Sequence, residues 1–196
     1  KSGTPFEYKT IKAGESSFKT NVAKPEYSFA SKLGALSIPT IGRRNEKGNL
    51  KVRILRDIFD SNCLLDEFGT TTATWEYFEE ICQIQNSIRK TNYSEKEIID
   101  GAVKTLLEST STDGKAASIK QGDLANFNEY QFAGRLRKGD YLQMAYRLCA
   151  YLSAFKTFGL RMVMSKTSSR LEVTISFNFH PPSAFAFSKT SGKGNE

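Results

Sequence analysis

The sequence predicts an α+β domain in which an antiparallel sheet packs against two or three helices, preceded by an extended basic N-terminal arm. Residues 94–107 combine a serine-led capping box with one apolar stripe at helical spacing, which predicts a helix. Residues 50–54 and 171–179 alternate apolar and polar side chains, and residues 142–149 place Leu142, Met144, Tyr146 and Leu148 on one face, as half-buried strands do. Residues 1–48 are rich in Lys, Ser, Gly, Thr and Pro, and their apolar residues follow neither the helical nor the strand spacing over any length.

The domain organisation follows from these patterns and from the length of 196 residues, which suits one domain with tails. Residues 1–48 are predicted to form the partly flexible arm, and residues 49–187 the globular domain. Residues 188–196 are rich in Ser, Gly and Lys and are predicted to be a flexible tail.

The elements of the domain are predicted in chain order. The strand at residues 50–54 places Lys51 and Arg53 on its solvent face. Thr74 is predicted to cap a helix with helically spaced side chains, and Ser94 begins the next helix. Residues 109–126 form a long polar surface loop. The last third is predicted to be β-rich, although a helix also fits residues 142–149, and its hairpin pairs residues 160–164 with residues 171–179. The side chains at helical spacing after Thr74 are Trp75, Phe78, Ile81, Cys82, Gln85 and Ile88.

Charge is distributed unevenly along the chain, whose net charge is +7. Residues 1–57 hold 12 basic and 5 acidic groups, residues 58–134 hold 6 and 13, and residues 135–196 hold 10 and 3. Two basic thirds therefore flank an acidic middle third. Such a chain can bind polyanions and also further copies of itself, and the alternative is that these charges form solvated faces without a partner.

Composition argues against several classes of protein. The three cysteines are far apart and form no CxxC motif, so neither a zinc site nor a disulfide framework is expected. The single histidine, His180, has no carboxylate or cysteine beside it in sequence, and no nucleotide-binding, GxSxG or HExxH motif is present. No apolar run approaches the length of a membrane span. A binding or assembly function is therefore favoured over an enzyme, and no cofactor is expected.

Two basic clusters flank predicted strand starts, so their charges should project from structured edges. Phosphate-bearing surfaces, either nucleic acid or anionic lipid headgroups, are their natural ligands. Aromatic side chains near the second cluster (Phe127, Tyr130, Phe132 and Tyr141) could stack on bases, insert at a membrane interface, or belong to the core. The clusters consist of Arg43, Arg44, Lys47, Lys51, Arg53 and Arg56, and of Arg135, Arg137 and Lys138.

Three stretches, in this order, resemble segments of rhabdovirus matrix proteins. The first covers residues 50–58, the second residues 132–144, and the third runs from Phe158-Gly159-Leu160 through a lysine-containing turn to residues 171–179. The resemblance covers about 130 residues at low identity, with a helical region between the first two stretches. The proline-rich budding motif of that family is not found in residues 1–48.

The resemblance implies a matrix protein that links the viral nucleocapsid to the inner leaflet of the envelope, polymerises, and drives assembly and budding. It implies as partners other copies of the chain, the viral nucleoprotein, anionic lipid and the viral glycoprotein. It places the protein in the virion beneath the envelope, and in the cytoplasm, at membranes and in the nucleus of the host cell. In such lattices the arm of one subunit docks on its neighbour. The arm residues expected to dock are Phe6, Tyr8, Phe18, Tyr27 and Phe29, and the expected acidic receiving residues are Glu76, Glu79, Glu80 and Glu95.

The main alternative is an RNA-binding nucleocapsid or coat protein of another virus. Such a protein should purify with RNA and bind it with a steep salt dependence, whereas a matrix protein should self-associate at low salt and be largely free of RNA. An unfamiliar enzyme is the least favoured class.

Overall fold

A computed structural model describes residues 4–14, 16–43, 50–69, 71–129 and 135–165. This part of the chain holds one two-stranded antiparallel sheet and six helices, so the α+β class is consistent with the structure. The strands are β1 (Phe6–Ala13) and β2 (Ser16–Ala23), and the helices are α1 (Pro25–Leu36), α2 (Leu50–Phe68), α3 (Thr72–Arg89), α4 (Glu95–Thr110), α5 (Gln121–Asn128) and α6 (Lys138–Ser165).

The core lies among the helices and not against the sheet. Helix α1 packs against α2, α3 and α4, and α6 packs against α4 and α2. Aromatic rings join distant helices: the ring of Phe155 on α6 lies 4.9 Å from that of Trp75 and 5.6 Å from that of Phe78 on α3. Burying these rings and the aliphatic side chains around them is the main favourable term for folding.

Helix α4 begins as the sequence predicts. The Ser94 hydroxyl accepts a hydrogen bond from the Glu97 backbone N–H at 3.3 Å, and the Glu97 carboxylate accepts one from the Ser94 N–H at 2.8 Å. The bonds from Ser94 hold the pKa of Glu97 below its ordinary value. The helix predicted after Thr74 is also confirmed, as α3, but its cap is Thr71, and Thr74 is its third residue.

The strand predicted at residues 50–54 is wrong, because these residues begin helix α2. The buried side chains include Leu50, Ile54, Leu55 and Ile58, which follow the three- and four-residue spacing of a helix. Within residues 50–54 alone, Leu50, Val52 and Ile54 also fit the alternating pattern of a strand, and only the longer stretch shows the helical spacing.

The strands predicted at residues 142–149 and 160–164 are also wrong, because both segments belong to α6. Met144, Ala145, Leu148 and Leu152 are all buried, and they recur at helical spacing. The predicted partner strand at residues 171–179 and the tail at residues 188–196 lie outside the described residues.

The extended arm predicted at residues 1–48 is not confirmed. Residues 6–23 form the hairpin of β1 and β2, and α1 places Leu33 and Leu36 in the core. The loop predicted at residues 109–126 is in part correct. Residues 111–120 contain no helix or strand, but α5 follows and buries Leu124 and Phe127.

Candidate assembly and polyanion-binding surfaces

Two segments of the predicted basic clusters lie around helix α5. On one side, α2 packs against α5, with the ring centroids of Phe59 and Phe127 5.9 Å apart. At the end of α5, the Asn128 side chain donates to the Leu136 carbonyl at 3.0 Å and accepts from the Leu136 N–H at 2.8 Å. These bonds hold the segment that carries Arg135 and Arg137 onto α5. We refer to Lys51, Arg53, Arg56, Arg135, Arg137 and Lys138 as the basic rim.

The side chains of the rim differ in exposure and pairing. Arg56 is exposed on α2, and Arg135, Arg137 and Lys138 are exposed at the start of α6. Within the described residues, none of these four forms an ion pair with a carboxylate. Arg53 is half-buried, and Lys51 lies 3.8 Å from the Asp123 carboxylate. The four exposed cations are therefore the part of the rim that is available to an anionic ligand.

The start of α6 adds to this positive character. Arg137 caps the helix, its carbonyl accepts the Tyr141 N–H at 3.0 Å, and its own N–H donates to the Asp140 carboxylate at 3.1 Å. The dipole of a helix leaves a partial positive charge at its N-terminus. Arg137 and Lys138 thus lie where the backbone has the same sign of charge as the side chains.

Arg43, which the sequence groups with these cations, has a different environment. Its Nε donates to the Asp57 carboxylate at 3.1 Å, and Asp57 also accepts from the Lys32 ammonium at 3.0 Å. Asp57 is only 2% exposed and the Arg43 side chain is 45% exposed, so a buried carboxylate and a surface guanidinium join the segment after α1 to α2. Arg44 and Lys47 lie outside the described residues.

The residues predicted for self-association fall into two groups. Phe6, Tyr8 and Phe18 lie on the hairpin and are exposed, with Tyr8 at 79%. Tyr27 is half-buried on α1, with its ring centroid 5.8 Å from that of Phe6. Phe29 is buried in the core, where its ring lies 5.3 Å from that of Tyr151. Only the hairpin members of the set are therefore exposed at the surface.

The hairpin contacts the helices at its base. The Lys24 N–H donates to the Pro5 carbonyl at 2.9 Å, the Tyr77 hydroxyl donates to the Thr4 carbonyl at 3.3 Å, and Phe6 touches Tyr27. Eight residues per strand span about 27 Å. Ile11 and Phe18, which face each other across the strands, are 40% and 51% exposed. The distal part of the hairpin therefore presents apolar side chains to solvent.

The predicted acidic receiving residues are all half-buried. Glu76, Glu79 and Glu80 lie in the first half of α3, and Glu95 is the first residue of α4. Burial, together with the negative charges of Glu95 and Glu79, raises the pKa of the Cys82 thiol, so these two carboxylates lie near the same point on α3. The sequence pattern places Ile88 among the helically spaced side chains of α3 and does not single out Ile84, and both prove exposed.

The aromatic side chains near the second basic cluster are only in part described. Phe127 and Tyr141 are buried, and the Tyr141 hydroxyl donates to the Ser109 hydroxyl inside the core. Neither ring is available to stack on a base. Tyr130 and Phe132 lie outside the described residues. Of the four aromatic residues near this cluster, the two that are described therefore belong to the core.

Within the described residues, no group of three or more His, Cys, Asp or Glu side chains is arranged to hold a metal ion. Among the described helices, none combines the length and the apolar composition needed to span a bilayer.

The fold and these surfaces define a helix-rich α+β protein with a projecting hairpin and a basic rim. Comparison of the chain with family models, curated proteins and solved structures found no match. The likeness to rhabdovirus matrix proteins therefore rests on the three short sequence stretches.

Proposed function

We propose that this chain is a viral matrix-type assembly protein, which acts without catalysis, binds anionic membrane and nucleocapsid through charge, and polymerises through its hairpin. The observation that carries the proposal is the separation of two exposed features on one folded unit. Exposed cations lie on α2 and at the start of α6, and exposed apolar side chains lie on the hairpin, whose base contacts α1 and α3. A protein that bridges a membrane and a growing lattice needs both kinds of surface.

The basic rim supports attachment to an anionic surface. Lysine and arginine near a membrane that carries anionic lipid contribute about 1 kcal/mol each. The described rim offers four exposed cations on structured elements, so the combined contribution is about 4 kcal/mol at low salt. The buried rings of Phe127 and Tyr141 favour headgroup or backbone phosphate contact over stacking on single-stranded bases.

The test is flotation of the full chain with phosphatidylcholine vesicles, with and without phosphatidylserine. The variant R137E/K138E removes two cations and places two acids at the N-terminus of α6, where the helix dipole favours acids, so the fold should persist. We expect binding to vesicles that contain phosphatidylserine to fall at least thirty-fold, roughly the equivalent of 2 kcal/mol. The matched control K96E/K104E makes the same charge change at two exposed positions of α4.

If R137E/K138E and the wild type float equally with the vesicles, the basic rim does not attach the protein to membranes. The RNA-binding alternative is tested on the same preparations. Nucleic acid that co-purifies with the wild type and is lost from R137E/K138E would identify the rim as a nucleic-acid surface and overturn the matrix proposal.

A further inference from the structure

Large apolar side chains remain exposed on two helices that pack against each other. Leu107 on α4 is 49% exposed, and Tyr146 on α6 is 53% exposed. Helices α4 and α6 are in direct contact. Exposed apolar side chains that adjoin one another mark a surface that another segment or molecule can cover. Whether these two adjoin depends on how the helices lie.

Two contacts fix the relative direction of α4 and α6. The Tyr141 hydroxyl in the first turn of α6 donates to the Ser109 hydroxyl in the last turn of α4, and Lys156 of α6 forms an ion pair with Asp100 of α4. The helices are therefore antiparallel. The two exposed side chains lie two and five residues from the first contact in the same direction, which corresponds to about 3 Å and about 8 Å. They are at nearly the same level.

The ion pair also shows which faces of the two helices lie side by side. Val103 and Leu107 follow Asp100 at a spacing of three and four residues, so they share its face of α4. The residues that share the Lys156 face of α6 recur at the same spacing. They are Ser153, Cys149, Tyr146 and Leu142. Because Asp100 contacts Lys156, both faces lie on the same side of the helix pair.

These faces form one apolar surface. Val103, Leu142 and Cys149 are half-buried against the core, and the two exposed side chains continue this apolar surface outwards. Within the described part of the chain, the outer side of the surface stays uncovered. We refer to it as the α4–α6 seam, which consists of Val103, Leu107, Leu142, Tyr146 and Cys149.

Residues 171–179 are an apolar segment that needs a surface to pack against. Their large apolar side chains alternate with polar ones, and the strand expected to pair with them, residues 160–164, is part of α6. Exposed to water, five such side chains would be unfavourable. They are Leu171, Val173, Ile175, Phe177 and Phe179.

The length of chain after α6 matches the distance to the seam. Helix α6 ends at Ser165, and five residues then precede the segment, enough for a reversal of direction. Nine extended residues span about 30 Å, and the helix from Ser165 back to Tyr146 spans about 28 Å. A segment laid back along α6 therefore brings Phe177 to the level of Cys149 and Phe179 to that of Tyr146.

A second copy of the chain is a less favourable occupant of the seam. The segment is joined to α6 by a short connection, so bringing it to the seam costs little loop-closure entropy. A second copy would lose its translational and rotational freedom on binding to the same surface. The covalent connection thus favours the segment of the same chain.

We propose that residues 171–179 pack on the α4–α6 seam of the same copy. Phe177 then contacts Cys149, and Phe179 contacts Tyr146 and Leu107. The inference goes beyond the proposed function and does not depend on it, because the seam includes no residue of the basic rim or the hairpin.

The first test is disulfide formation in the full chain, under mild oxidation and at low protein concentration. Phe177→Cys should join Cys149 of the same chain, since the two Cα atoms would lie within the roughly 7 Å that a disulfide can span. Phe185→Cys, the same change beyond the segment, is the matched control and should give at least ten-fold less of this product. Peptide mass spectrometry identifies the joined thiols. If the Phe177→Cys thiol joins Cys149 no more than it joins Cys63, the proposal is wrong.

The native thiols give a second test. Cys63 on α2 and Cys149 on the seam are both half-buried in the described residues, so Cys63 is an internal control. If the segment covers the seam, Cys149 should react with a neutral alkylating reagent at least ten-fold more slowly than Cys63. The variant F177S/F179S should raise the Cys149 rate at least five-fold, and F185S/F187S should leave it unchanged.

The rate at the buried Cys82 shows whether a variant has unfolded. If it rises together with the Cys149 rate, the serine variant has lost its fold, and the disulfide yield of Phe177→Cys decides. Equal rates at Cys149 and Cys63 in the wild type would overturn the proposal. Protection of Cys149 that increases with protein concentration and persists in F177S/F179S would also overturn it, and would assign the seam to a second copy.

Discussion

The buried carboxylate of Asp57 forms ion pairs with two basic side chains, Arg43 and Lys32. From the sequence, Arg43 is grouped with cations that contact a ligand. In the fold its guanidinium binds Asp57, and Lys32 binds both Asp57 and Asp60, at 3.0 and 2.7 Å. Burial alone lowers the pKa of Lys32, but the hydrogen bonds and negative charges of Asp60 and Asp57 outweigh it and raise the pKa above its ordinary value. These charges connect α1 to α2.

Removal of this carboxylate should destabilise the fold. Asp57→Ala leaves Lys32 and Arg43 without their shared partner, and loss of one member of a buried pair should cost about 3 kcal/mol of unfolding free energy. Asp60→Ala removes a far more exposed partner of Lys32 and should cost about 1 kcal/mol or less. Urea denaturation measures both, and equal losses would show that the burial of Asp57 has no special role.

At the scale of elements, the helix predicted from a long sequence pattern was correct, and the strand predicted from a short pattern was wrong. Residues 94–107 contain a capping box and a stripe of nearly four turns, and they form α4 as predicted. Residues 50–54 offered only five alternating positions, and they proved to be the start of a 19-residue helix. The hairpin at residues 6–23 was missed because its apolar side chains face solvent. Its strands lack the half-buried pattern that marks a strand in a core.

Gly101 and Gly122 differ in how closely other residues approach them, and this difference predicts opposite effects of substitution by alanine. Gly101 on α4 faces the loop after α1, and a Cβ there would overlap the Ser37 hydroxyl. Gly101→Ala should therefore lower the free energy of unfolding by about 1 to 3 kcal/mol. Gly122→Ala on α5 meets nothing within 4 Å and should raise it by about 0.5 kcal/mol. Thermal denaturation distinguishes the two, and a stabilised Gly101→Ala would contradict this packing of α4.

At the scale of the whole molecule, folding raises the pKa of several thiol and hydroxyl groups, so these groups stay protonated and neutral to a higher pH than in the unfolded chain. Burial raises the pKa of Cys63 and of Cys149 to about 11, and it also raises the pKa of the Cys82 thiol and of the Tyr141 hydroxyl. In the unfolded chain these groups would ionise at their ordinary values, near 9 for the thiols and 10 for the tyrosine.

This difference predicts alkaline destabilisation. Below about pH 9 the folded and unfolded chains hold the same protons on these groups, so stability is unaffected by them. Above that pH the unfolded chain loses protons first, and the free energy of unfolding should fall as the pH rises. Urea denaturation between pH 8 and pH 11 measures the fall. Tyr141→Phe should make it shallower above pH 10, and Tyr8→Phe, at a 79% exposed position, should not; equal slopes in these two variants would contradict the prediction.

The sequence by itself determined the distribution of charge along the chain and the elements whose signals are local. The capping box at Ser94 and the helix that the sequence predicts after Thr74 follow from near neighbours in the chain, because caps and helical stripes depend on residues one to four positions apart. Only the tertiary structure decided which of these side chains remain at the surface. Asp57 neutralises Arg43, Phe29 joins the core, and Tyr8 and Ile88 stay exposed, since burial and ion pairing depend on contacts between elements distant in sequence.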